Sequence, residues 1–188
     1  MKLHLSPLTL IYFALYVLFS HPVSLAAIFT AVLIHELTHL IVLRLMGGAA
    51  TSLTITPFGL SIDRIGLLSH WEEILLSLSA PIVNLLLAGL YSYLQMDSCT
   101  VESNLGFGLL NLLPIYPLDG GAAMKALLSV CLDRETAERL TRWGSMLFLL
   151  LFWLLAVAVA LILNGGLSML LLSVGLFVTV SDIGGSHK

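Results

Sequence analysis

The residues of this chain best suited to chemistry sit together in one apolar stretch, as His35-Glu36-Leu37-Thr38-His39. On a helix, residues four apart share one face about one turn from each other, so both imidazoles can reach a single metal ion. Imidazole suits zinc, which at catalytic sites takes three protein ligands and keeps a further position for water. Glu36 follows the first histidine and projects to the side, where it can take a proton from water and return it to a leaving amine. A chain with six histidines would contain this pattern by chance roughly 0.006 times, which makes coincidence a poor explanation. The other reading is a helix that hydrogen-bonds a polar face to its neighbours. Against it, each charged group in an apolar span costs about 2.5–3.5 kcal/mol to insert, and residues that carry such a cost usually mark function.

The elements that must position these side chains are membrane segments. The chain has 188 residues, 59% of them hydrophobic and 10% charged, with a mean hydropathy of +1.03. That is too little charge to cover a soluble surface, and a net charge of −3 gives no footprint for nucleic acid. Six apolar stretches stand out, at 5–20, 23–46, 71–94, 105–124, 143–163 and 167–181, where about 20 helical residues suffice to cross the hydrocarbon core. The expected fold is an all-α polytopic membrane protein with about six transmembrane helices. It forms a single domain over 1–188, with a three-helix catalytic core at about 23–125 and additional helices at 5–20, 143–163 and 167–181. The fourth stretch, broken by Pro114, Pro117, Gly120 and Gly121, is not expected to be a straight helix.

Charge orients these spans. With the N-terminus in the cytoplasm, all 8 Lys and Arg residues fall in or beside cytoplasmic segments, and the opposite loops hold none. Both termini are then cytoplasmic, and Cys99 and Cys131 lie on opposite sides, unable to pair. The N-terminal run could be misread as a signal peptide, with Ser24-Leu25-Ala26 as a cleavage site. The six-span topology requires it as a retained helix.

Depth then points to the third ligand. The second span runs toward the cytoplasm, which puts His39 about 7 residues, or roughly 10 Å, below that surface. The fourth span runs the same way and ends near Lys125, putting Asp119 about 6 residues inside. Asp119 is the one carboxylate of that stretch, and Pro117 and Gly120-Gly121 allow the chain to turn inward there. Its alternative role is a helix cap at the cytoplasmic end. Residues 51–62 alternate polar with apolar and suggest short strands or a hairpin broken at Pro57 and Gly59. Residues 132–142 suggest a short charged surface helix or connector.

His35-Glu36-Leu37-Thr38-His39 followed by Asn-Leu-Leu-Pro-Ile-Tyr-Pro-Leu-Asp-Gly-Gly at 111–121 resembles the site-2 protease family of intramembrane metalloproteases. The likeness extends to its branch containing a sporulation protease that processes a sigma-factor precursor. It implies zinc bound by His35, His39 and Asp119, with Glu36 as catalytic base. It also implies a loop beside the substrate containing Asn111, Pro114 and Pro117, and it matches Ala80-Pro81-Ile82-Val83-Asn84 to the family's small-Pro-x-x-Asn signature. Asn84 and Asn111 are candidates for holding the oxyanion or the substrate backbone, or for interhelical hydrogen bonds. Thr38 and Ala122 depart from the family's usual glycine and arginine, and neither is a proposed ligand. No PDZ-like insertion or C-terminal nucleotide-sensing domain is expected. The implied partners are the lipid bilayer and a membrane-embedded or membrane-associated protein substrate, with room for an inhibitory membrane partner. The implied location is the cytoplasmic membrane of a prokaryote.

The strand-like segment at 51–62 could pair with an extended substrate by β-addition. The remaining histidines, His4, His21, His70 and His187, fall at interfaces, in loops or at a terminus. Two other functions compete: a metal or small-solute transporter using His35, His39 and Asp119, and a catalytically dead binder of membrane helices.

Overall fold

The computed structural model describes residues 2–5, 22–56, 59–65 and 68–162. Among them are three strands, β1 (Lys2–Leu5), β2 (Ala49–Thr56) and β3 (Gly59–Ile65), and five helices. The helices are α1 (Pro22–Leu45), α2 (His70–Tyr93), α3 (Ser98–Asn111), α4 (Asp119–Cys131) and α5 (Arg134–Ile162). Three of them are long and apolar enough to cross a membrane, over Ser24–Leu45, His70–Tyr93 and Arg134–Val159. The spans expected at 5–20 and 167–181, and the break expected at Pro57, lie outside the described residues.

Two compact units divide between Leu112 and Leu113. In the first, α1, α2 and α3 pack on one another. Partner residues give their directions. Ala31 and His35 of α1 meet Asn84 of α2 while His39 meets Leu76, so α1 and α2 run antiparallel. Ser24 meets Cys99 and His35 meets Phe107, so α1 and α3 run in the same direction. β2 pairs antiparallel with β3, from Thr56 opposite Gly59 to Ala49 opposite Ile65, with an irregularity between Ala50 and Ser52. β1 lies parallel to β2, making the three-strand order β1-β2-β3.

Local chemistry sets the helix ends. Proline is favoured at the first position of a helix, and Pro22 opens α1. At its other end Gly47 adopts φ +78°, where a side chain would be strained, and Gly47 and Gly48 donate to the carbonyls of Arg44 and Leu43 at 3.1 and 3.0 Å. This crossed pair is a Schellman stop. A capping box opens α2: Ser69 Oγ accepts from the Glu72 N–H, and Glu72 Oε2 accepts from the Ser69 N–H at 2.7 Å. Asp97 caps α3 by accepting from the Thr100 N–H at 2.9 Å.

The faces of α1 sort by size and polarity. Ala27, Ala31, His35, His39 and Leu43 form one buried row at four-residue spacing, while Phe29, Leu33, Leu37, Ile41 and Leu45 form an exposed one. Lipid is as apolar as leucine, so bulky aliphatics gain nothing by facing inward, and small or polar residues take the helix contacts.

In the second unit α4 packs on α5. The buried face of α5 follows the same four-residue row through Ala137, Thr141, Ser145 and Leu149. One expectation holds here and one changes. The stretch 105–124 is broken, as its prolines suggest: α3 ends at Asn111 and α4 begins at Asp119, with 112–118 non-helical between them. The connector expected at 132–142 is instead the start of α5, which runs unbroken from Arg134 because Asp133 accepts from the Thr136 N–H at 2.9 Å and caps it.

Candidate metal and catalytic site

α1 carries His35, Glu36 and His39 into the first unit, each less than a tenth exposed. The two imidazoles meet edge to face with centroids 4.9 Å apart, and Phe107 of α3 meets His35 in the same way at 4.9 Å.

The nitrogen that each ring offers follows from its other bond. His39 Nδ1 lies 3.0 Å from the carbonyl oxygen of Leu76. A carbonyl only accepts, so Nδ1 carries the proton and Nε2 the lone pair. His35 Nδ1 lies 2.8 Å from Asn84 Oδ1. The Asn84 Nδ2 donates to the Ala31 carbonyl and to Asn104 Oδ1, both at 3.1 Å, which identifies Oδ1 as the oxygen facing His35. His35 therefore also donates through Nδ1 and carries its lone pair on Nε2. Metal-binding histidines are commonly held this way, by a hydrogen bond from the other ring nitrogen that fixes tautomer and rotation.

Asp119 opens α4 in the second unit. The cap position falls on Leu118, whose side chain makes no capping hydrogen bond, so Asp119 sits one residue inside the helix start, where a carboxylate is favoured by the helix dipole. The segment before it is held from several directions. Ser145 Oγ accepts from the Tyr116 N–H at 2.9 Å, the Ile115 carbonyl accepts from the Leu118 N–H at 2.7 Å, and Ile115 and Leu118 are buried. A Cβ on Gly121 would collide with the backbone of Ile115 and Tyr116, so only glycine permits this close return. Pro114 and Pro117 lie in this segment, half-buried, and the Tyr116–Pro117 peptide is cis. Lys125 of α4 reaches Glu138 of α5 at 3.1 Å and lies 5.6 Å over the Tyr116 ring.

By residue type, the candidate metal ligands are His35 and His39 in the first unit and Asp119 in the second. Asn111 closes α3 and donates to the Phe107 carbonyl at 3.1 Å. The sequence reading passed over Asn104, which is fully buried, and the Leu76 carbonyl, which side-chain patterns cannot reveal. A signal for Asn104 existed: residues 104, 108 and 111 share a helix face, and all three are buried.

No family model matches the chain. It is 29% identical over 170 residues to Stage IV sporulation protein FB of Bacillus subtilis (strain 168), an alignment covering 84% of this chain and 59% of that protein. The chain thus spans about three-fifths of that relative's length. Its structure resembles the Site-2 Protease from Methanocaldococcus jannaschii with a TM-score of 0.65 and 18% identity, covering 96% of this chain and 89% of that one. At that identity the likeness shows a shared fold.

Proposed function

We infer, from the premise that this is a member of the site-2 protease family, as both comparisons support, that the chain is an intramembrane zinc metalloendopeptidase. The observation that carries the reading is the pair of α1 histidines, each donating through Nδ1 to an acceptor that leaves the lone pair on Nε2. Two such imidazoles plus the Asp119 carboxylate fit zinc in ligand type and number, and Asp119 is the proposed third ligand. Zinc held there supplies a Lewis acid that polarises a carbonyl and lowers the pKa of water. Glu36, buried beside His35, is the base that takes a proton from the attacking water and delivers it to the leaving amine. Asn111, Pro114 and Pro117 are the proposed neighbours of the substrate chain.

The proposed substrate is a membrane-embedded or membrane-associated protein, cut near the cytoplasmic face. A sigma-factor precursor is a candidate substrate, given the sporulation name of the relative. Two observations support the membrane setting: three candidate spans, and basic residues that all fall on one side of the proposed topology. Among the described residues β3 is an edge of the sheet and offers backbone groups to an extended peptide.

The test is co-expression with a panel of single-span substrates, comparing the wild type with Glu36→Gln. The glutamine variant should retain zinc and lose cleavage by more than a hundredfold. Persisting cleavage would remove Glu36 as the base. Metal flux through reconstituted vesicles, equal in both forms and without proteolysis, would point to a transporter.

A further inference from the structure

The polar chain behind His35 extends beyond its first partner. Asn84 is fully buried, and its amide is used on every side: Oδ1 faces His35 Nδ1 at 2.8 Å, and Nδ2 donates to the Ala31 carbonyl and Asn104 Oδ1. Asn104 is equally buried and donates to the Thr100 carbonyl at 3.0 Å. Two backbone carbonyls, neither able to donate, thus fix the polarity of the chain. Turning the Asn84 amide over would set its oxygen against the Ala31 carbonyl, and turning Asn104 over would set its oxygen against Thr100. Carbonyl facing carbonyl in a buried, apolar setting is costly, so both amides have one stable orientation.

We propose that Asn104 and Asn84 are positioning residues that hold His35 in a single tautomer and rotation, with Nδ1 protonated and the lone pair on Nε2. The proposal rests on the zinc-ligand reading of His35 for its functional meaning, but the tautomer is a property of the chain alone. It assigns Asn84 a role other than gripping the oxyanion, because both of its N–H donors are already spent within the helix core. His39 is an internal control, since a backbone carbonyl that no substitution at Asn84 or Asn104 removes holds its Nδ1.

The test uses the full chain in detergent, labelled with 15N-histidine, zinc-depleted and held above the imidazole pKa. The 15N shifts of His35, assigned by comparison with His35→Gln, report which ring nitrogen carries the proton. Zinc affinity is measured on the same samples by competition with a chelator. Asn84→Leu should give mixed His35 tautomers, unchanged His39 signals and zinc binding weaker by about 10–100-fold. Asn84→Asp keeps an acceptor for Nδ1–H, although its second oxygen replaces the Nδ2 donor facing the Ala31 carbonyl and Asn104 Oδ1, so it should lose stability but keep the His35 tautomer and more of the affinity than Asn84→Leu. Asn104→Leu should give a loss between those two. Unchanged tautomer and affinity in Asn84→Leu would overturn the proposal. So would equal losses in the leucine and aspartate variants, which mean that Asn84 serves only as packing between helices. If the leucine variant does not fold, loss of the tautomer in Asn84→Asp overturns it and retention supports it. A wild type with the single His35 tautomer but no zinc affinity supports the positioning role and sinks the metalloprotease reading separately.

Discussion

Gly121→Ala tests whether the segment before Asp119 is built as rigidly as its contacts imply. The added methyl would overlap the backbone of Ile115 and Tyr116, and a backbone cannot swing aside as a flexible side chain can. The chain at 115–116 must therefore move, which strains the Tyr116 N–H bond to Ser145 Oγ and the turn from Leu118 to Ile115. Overpacking of this kind costs about 1–3 kcal/mol. Losing the part-buried bond to Ser145 adds about 1 kcal/mol, the usual net worth of one hydrogen bond. The sum is about 2–4 kcal/mol of stability. The same displacement moves Asp119, two residues earlier in the helix, and a shift of about 1 Å in a reacting group can cost about a hundredfold in rate. Thermal unfolding in detergent, zinc content and cleavage rate read the three consequences. Gly89→Ala is the matched control, because a Cβ there meets nothing within 4 Å, and it should be neutral or slightly stabilising, since alanine favours a helix interior over glycine. If Gly121→Ala melts and binds zinc as the wild type does, the segment is not held by the contacts described and the argument fails.

Two more predictions concern charge. Hydrogen bonds from the Thr100 hydroxyl and then its backbone N–H hold the Asp97 carboxyl below the usual carboxylate range. A depressed folded-state value stabilises the fold above the unfolded carboxylate pKa of about 4, and the contribution fades as pH falls through the lower, folded value. Asp97→Asn, which caps without titrating, should therefore remove part of the wild type's loss of thermal stability below about pH 4, and identical acid profiles would count against the cap. Glu138 joins Lys125 and Arg134 at 3.1 and 3.2 Å, but all three are at least a third exposed. Glu138→Gln should accordingly cost less than about 1 kcal/mol in a melting experiment, and a loss above about 2 kcal/mol would mean that the cluster anchors Tyr116.

The sequence makes α1 readable because a membrane helix cannot hide cost: His35, Glu36 and His39 stand out where, apart from Arg44 in the last turn, every other side chain is apolar or small. The ends of α1 and α2 fell within a residue or two of the apolar stretches for the same reason. The link from Asn111 to Asp119 was legible as a break but not in its extent, since Pro114 and Pro117 forbid helix without saying how far the chain runs before the next one starts. The charged run at 132–142 misled because hydropathy reports where lipid begins, whereas the helix begins at its cap, Asp133. Asn104 escapes for the same reason in reverse: it lies one residue before the apolar stretch at 105–124, so hydropathy leaves it out of the helix whose spacing puts it on one face with Gly108 and Asn111.

α2 contributes no proposed metal ligand, yet it orients both imidazoles. Asn84 takes His35 and the Leu76 carbonyl takes His39, so the two α1 ligands are referred to one neighbouring helix. The two partners differ in kind. A backbone carbonyl is available at every helical residue, and a slide of α2 by one turn, about 5.4 Å, would offer His39 another. Asn84 is the one side-chain amide on α2, and no equivalent lies a turn away. The register of α1 against α2 is therefore set at His35, and His39 follows it. The small buried residues around this contact, Ala31, Ala80 and Ala88, fit that demand, since they let the helices approach closely enough for a short amide to span the gap. In the proposed enzyme, the geometry of the zinc site is thus inseparable from the packing of the two helices.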